Sequence, residues 1–270
     1  MSKTNIKYHE MKTSFKQMKI HTFIFGGLFM LHSAICAQEN LSYTKDVYVT
    51  AGDSLPYRLL YPRDYDSKKK YPMVVFLHGS GQRGNDNQSQ LIGVPKKLTD
   101  SLGRIKYPCF ILVPQCAKKD VWVKFPNFPN SLKATDAATP SAGLVLAKLD
   151  ELLKELPIDR RRIYLTGYSM GGEGTFDLMA RRPKLFAAGV PICSVADTAT
   201  ANMIRNIPIW AFHGDQDEVN DVKYTRMMVD ALQKQKGKVK YTEYPGVKHN
   251  SWTKSYAEPE LFDWLFAQKK

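Results

Sequence analysis

A serine with glycines two positions to either side, Gly167-Tyr168-Ser169-Met170-Gly171, follows the apolar run Ile163-Tyr-Leu-Thr and precedes a helical pattern. A strand that reverses this sharply into a helix brings backbones too close for a Cβ, and it pushes the serine hydroxyl out at the carboxyl edge of a sheet. A hydroxyl is a weak nucleophile at neutral pH. It needs a base that takes its proton and later returns it to a leaving group, and histidine suits that work. Of six histidines, His9, His21 and His32 lie in the N-terminal segment, and His78 precedes a glycine loop. The elbow arrangement requires the chain order serine, acid, histidine, which leaves His213 and His249. His213 directly precedes the acid candidates and suits packing, whereas His249 sits in the late loop Pro245-Gly-Val-Lys-His-Asn-Ser-Trp252. We therefore take His249 as base. The acid that orients the imidazole is Asp215 or Asp217, both after Phe212; the spacing of three residues beyond Gly214 favours Asp217. Asp177 and Asp230 fall within helical patterns and read as solvated.

A tetrahedral intermediate needs two converging donors for its oxyanion. The Met170 amide supplies one, and the other is expected from the loop His78-Gly-Ser-Gly-Gln-Arg-Gly84, at the amide of Ser80 or Gly81. Gly79 and Gly81 let that backbone approach a substrate closely. His213-x-Asp215-x-Asp217 also has a metal-like spacing, but no further ligand accompanies it and no metal is expected. No cofactor motif is present.

The elements that must position these residues are legible as patterns. Two short strands over 46–62 read as a hairpin, and 71–77 is a continuous apolar run of the kind buried on both faces of a parallel sheet. Further strands are expected at 109–113, at the elbow, at 187–193, 207–212 and 239–244. Helices are expected at 89–102, 142–156, 171–182, 221–234 and 256–268. Alternating strands and helices without an internal repeat imply α/β architecture with one mostly parallel, doubly wound sheet, whose sites lie at the carboxyl ends of strands. The stretch 117–140 is rich in Lys, Asn, Pro and aromatics, and irregular loops of this length are usually functional.

Residues 22–36 are apolar, preceded by Lys12, Lys16 and Lys19 and followed by small residues, the layout of a secretory signal peptide. Removal near Ala37, with Met18 as a natural initiator, would leave residues 38–270 as a single domain, secreted or periplasmic and without stable membrane insertion. Acylation of Cys36 fits less well because Ile35 stands where a small residue is expected. The chain carries a net charge of +13. Its lysines are scattered or gathered in tips, with no interleaved aromatics, so nucleic acid is not an expected partner. Four cysteines, one in the leader, leave Cys109, Cys116 and Cys193, which allow at most one internal disulfide. Composition sets no oligomeric state.

The segments HGSGQRGNDN, VPQC, GYSMGGEGTFDLMAR, PIWAFHGDQDE and YPGVKHNSW resemble the α/β-hydrolase superfamily. In particular they resemble secreted carboxylesterases of the phospholipase/carboxylesterase, predicted-peptidase or polyhydroxybutyrate-depolymerase-like type. The resemblance implies an α/β-hydrolase fold of about eight strands. It also implies Ser169 as nucleophile, Asp217 as acid, His249 as base, the Ser80 and Met170 amides as oxyanion donors, and an ester substrate, either a small molecule or a polysaccharide bearing acyl groups. Glu173 stands where many relatives have an aromatic. Only about twenty residues separate Cys193 from Phe212, too few for a lid domain, so Trp122, Phe125, Phe128 and Trp252 are candidates to line an open pocket. Two other readings compete: a serine peptidase of prolyl-oligopeptidase type, and a catalytically silent carbohydrate-binding homologue.

Overall fold

The computed structural model describes residues 43–50 and 52–270; the expected leader lies outside them. The apolar run Tyr71–Leu77 forms β3 and is buried at every position. It sits in the middle of an eight-stranded sheet, where helices on both faces remove it from water. The other strands are β1 (Thr44–Val49), β2 (Ser54–Leu60), β4 (Phe110–Pro114), β5 (Ile158–Tyr168), β6 (Ala188–Ile192), β7 (Ile209–Gly214) and β8 (Val239–Tyr244), in the spatial order β1-β2-β4-β3-β5-β6-β7-β8. β1 and β2 pair antiparallel, as does β2 with β4, and the remaining pairs are parallel.

Two apolar layers cover the sheet. On one side α3 (Pro140–Glu155), α4 (Met170–Arg181) and α6 (Lys223–Lys234) bury residues such as Val145, Leu149, Phe176, Met179 and Met228. On the other, α7 (Trp252–Ala257) and α8 (Leu261–Ala267) pack Tyr256, Leu261, Phe262 and Leu265 against Phe76, Tyr164 and Trp210. The start of α3 follows from its sequence: Thr139 accepts from the Ala142 amide and Pro140 occupies the first turn, where its missing N–H costs nothing.

Two expected helices are corrected. Residues 89–102 do not form one helix but a 3-10 turn (Ser89–Leu91), then α1 (Lys96–Thr99) and, beyond it, α2 (Ser101–Lys106). Pro95 cannot continue a helix, and the Asp100 carboxylate accepts from the Gly103 amide and so starts a new one. The terminal helix expected at 256–268 is likewise split into α7 and α8, with Pro259 in the break. Cys109, Cys116 and Cys193 are all buried and free.

The long segment after β4 is tied down rather than loose. Arg181 on α4 donates to the carbonyls of Thr135, Asp136 and Ala137 at 2.9, 2.7 and 3.2 Å. The Ala134 amide donates to Asp197 at 3.0 Å. Between β6 and β7 lie only a 3-10 turn (Thr198–Thr200) and the single-turn α5 (Ala201–Ile204), so no lid-sized insertion stands there.

Candidate active site

Ser169 occupies the turn between β5 and α4 with φ 54° and ψ −127°, a conformation that non-glycine residues rarely adopt. The surroundings over-determine it. The Ser169 amide donates to Ile192 O at 2.9 Å, and the Ser169 carbonyl accepts from the amides of Gly172 and Glu173 at 2.8 and 3.0 Å. Strain held this way is typical of a functional turn.

The Ser169 hydroxyl meets His249 Nε2 at 2.9 Å, and His249 Nδ1 meets Asp217 Oδ2 at 2.7 Å. A carboxylate only accepts, so Nδ1 carries the proton and Nε2 is left to accept from the serine. Asp217 is buried, and burial pushes its pKa up. Hydrogen bonds from His213, His249 and the amides of Asn220 and Val219 outweigh that and hold it well below the usual carboxylate range. Its Oδ1 takes both amides at 2.9 Å. Three residues expected from the elbow motif, chain order and spacing are thus brought into one hydrogen-bonded chain by β5, β7 and the loop after β8.

Asp215 has a different task, accepting from the Gly246 amide at 2.7 Å and so bracing the turn that leads to His249. His213 does more than the packing foreseen for it. It is fully buried, and its Nε2 faces two acceptors, Asp217 Oδ2 at 3.0 Å and Asn220 O at 2.9 Å, so that nitrogen carries a proton. Its Nδ1 lies 2.8 Å from Thr225 Oγ1. Asp217 therefore stands between two imidazoles, with His213 fixing the carboxylate from behind. The i to i+4 spacing of His213 and Asp217 around a turn was the available signal.

The Met170 amide opens α4, and Ser80 opens the 3-10 turn Ser80–Gln82. Neither amide has an acceptor among the described residues, which leaves both donors free. Behind that loop His78 is buried, accepting at Nε2 from the Cys116 amide at 3.0 Å and donating from Nδ1 to Gly79 O at 2.7 Å. It ties the glycine loop to the end of β4. Gly79 is required by packing, since a Cβ there would lie 2.8 Å from the Tyr168 ring, whereas Gly81 is exposed with open space around it.

Trp122 is corrected as a pocket residue. It is fully buried, donates from Nε1 to His78 O at 3.0 Å and packs edge-on against the His78 ring. The bulky indole that suggested a pocket wall instead supports the loop from below. Trp252 is partly exposed, stacks on Tyr168 at 4.5 Å and meets His249 edge-on at 5.5 Å, beside the open imidazole. Phe128 is exposed against Tyr224, with Phe125 partly buried in the same loop.

Burial lowers the His78 pKa from an ordinary 6.5 to about 4, against a smaller opposing effect of its bond to Gly79. As pH falls, the unfolded chain takes up this proton first. Stability should therefore rise with pH between about 4 and 6.5 and be lost on acidification through that window, by about 3 kcal/mol from this residue. Glu173, whose pKa burial raises to about 7, titrates with the opposite sign over part of the same range. Comparing denaturant midpoints of the wild type and His78→Gln at pH 4.5 and 7 isolates the histidine; the variant should show the weaker acid sensitivity.

Among the described residues the sulfur of Cys193 also lies within 4.8 Å of ligand atoms of Asp217 and His249. Those same atoms are committed to the serine–histidine–aspartate chain, so the cluster reads as part of that chain and not as a metal centre.

The model of a known family, described as phospholipase/carboxylesterase, matches residues 65–259 and so takes in Ser80, Ser169, Asp217 and His249. The chain belongs to the phospholipase/carboxylesterase family. The expectation of an α/β-hydrolase of the serine carboxylic-ester class is met at the level of family. A crystal structure of a thermostable esterase superposes with a TM-score of 0.79 at 36% identity, covering 85% of this chain and 64% of that one. The bifunctional acetylxylan esterase/xylanase XynS20E of Neocallimastix patriciarum is 29% identical over 149 residues, 55% of this chain but only 19% of that protein. Acyl-protein thioesterase 1 of Neurospora crassa is 27% identical over 199 residues, covering 66% of this chain and 80% of the relative. The chain thus spans less than two thirds of the first two of these proteins.

Proposed function

We propose that this family member is a secreted serine carboxylesterase that hydrolyses carboxylic esters, acyl groups on polysaccharides among them, through an acyl-enzyme on Ser169. The observation that carries the reading is the unbroken chain Ser169 Oγ, His249, Asp217 at 2.9 and 2.7 Å. His249 Nε2 takes the serine proton as Oγ attacks the ester carbonyl, and the developing imidazolium is stabilised by Asp217. The free amides of Met170 and Ser80 receive the oxyanion. The imidazolium then protonates the leaving alkoxide, giving the alcohol and the acyl-serine. Water, deprotonated by the same nitrogen, attacks the acyl carbon and releases the acid, and the proton returns to Ser169. No step calls for a metal or cofactor.

Similarity to an acetylxylan esterase supports polysaccharide esters as substrates, and the apolar leader at 22–36 supports secretion. No helix among the described residues is long and apolar enough to cross a membrane. The test is hydrolysis of p-nitrophenyl esters of increasing acyl length, methyl ferulate and acetylated xylan by the full chain, with a fluorophosphonate probe on Ser169. Turnover with labelling supports the reading, and the acyl-length profile describes the pocket. A folded protein that cleaves no ester and takes no label would overturn it, as would cleavage of prolyl peptides without any esterase activity.

A further inference from the structure

One titratable group in the site has no part in the mechanism above. Glu173 lies one turn into α4, its amide bonded to the Ser169 carbonyl at 3.0 Å, so it projects from the same face of the helix as the nucleophile. Its Oε1 accepts from Asn220 Nδ2 at 3.5 Å, and Asn220 in turn donates from its backbone amide to Asp217 at 2.9 Å. Its carboxyl is near enough to His249 that a positive charge on the imidazole lowers its pKa. Glu173 is therefore held on the imidazole side of Ser169. The leaving alcohol departs on that side, because the imidazolium must reach its oxygen to protonate it.

The second carboxyl oxygen, Oε2, has no hydrogen-bond partner among the described residues, and it is not sealed from solvent. A partly buried carboxyl that keeps an open oxygen beside a nucleophile costs desolvation unless a ligand group satisfies it. Burial brings its pKa to about 7, so near neutrality the group both donates and accepts. A hydroxyl group is the natural partner, since it does the same.

We propose that Glu173 is a specificity residue whose free carboxyl oxygen binds a hydroxyl on the leaving alcohol, so that esters of polyols and sugars are favoured over esters of plain alkanols. The inference rests on the carboxylesterase reading and adds the residue that selects the alcohol. It implies that the carboxyl discriminates by pairing with the hydroxyl of a correct substrate, and that an alkanol in the same place leaves it desolvated and unpaired.

The experiment compares kcat/KM of the full chain for glycerol 1-monoacetate and propyl acetate, which share the acyl group and chain length, with acetylcholine as a cationic alcohol ester. The wild type should prefer the glycerol ester. In Glu173→Ala the ratio should fall about tenfold, mainly through KM for the glycerol ester, and Glu173→Gln, which can still donate and accept, should restore most of it. Fluorophosphonate labelling of Ser169 in each variant shows that the site is assembled, and Glu173→Leu gives a second apolar replacement should alanine fold poorly. A preference that survives both apolar replacements overturns the inference alone. So does a wild type that favours acetylcholine and loses that preference in Glu173→Gln, because the carboxylate would then be reading a cation. A wild type inactive on all three esters and on the p-nitrophenyl series overturns the carboxylesterase reading and this inference with it.

Discussion

Replacing Ser169 with alanine is expected to lower kcat on any ester by on the order of a millionfold while leaving the fold intact. The side chain makes one hydrogen bond, to His249 Nε2, and alanine keeps its Cβ. Removing Oγ therefore removes the attacking atom and little else. His249→Ala should cost about as much, and the double variant no more than either single one, because the two act as a unit and neither has a function without the other. Asp217→Asn should cost about ten-thousandfold, since an amide turned toward Nδ1 favours the wrong tautomer. Burst kinetics and circular dichroism on the same preparations check both halves of the expectation. Rates that fall only a few-fold in Ser169→Ala would place the chemistry elsewhere.

The second large effect is on folding. A Cβ on Gly171 would lie 1.9 Å from the Leu77 carbonyl oxygen and 2.8 Å from that of His78. Both are backbone atoms at the end of β3 and cannot swing away. Gly171→Ala must separate the start of α4 from the central strand, and a loss above about 4 kcal/mol is expected, a large share of an ordinary domain's stability. Soluble yield and urea midpoint read the outcome. Gly81→Ala is the control for the same substitution: nothing lies within 4 Å of its added Cβ, and its midpoint should move by less than about 0.5 kcal/mol. Equal midpoints for the two would show that the close approach at the elbow is not what glycine serves there.

The residues differ in how far the sequence foretold them. Ser169, Asp217 and His249 were legible because each follows a strand and the fold dictates their order along the chain. The central strands were legible because a run such as Tyr71–Leu77 can be stable only with both faces covered. Local breakers explain the split helices at Pro95 and Pro259: helical periodicity runs through both positions, but a missing amide does not.

What the sequence determined by itself was the alternation of strands and helices, the nucleophile turn and the chain order of serine, acid and base, since these depend on residue type and short-range spacing. Tertiary structure alone brought the His249 imidazole onto Asp217 and set Trp122 beneath the oxyanion loop. It alone brought Glu173 to Asn220, whose backbone amide holds Asp217. Those outcomes rest on contacts between segments dozens of residues apart, Asp217 with His249 and Trp122 with His78, and a one-dimensional pattern does not state which far segments pack together.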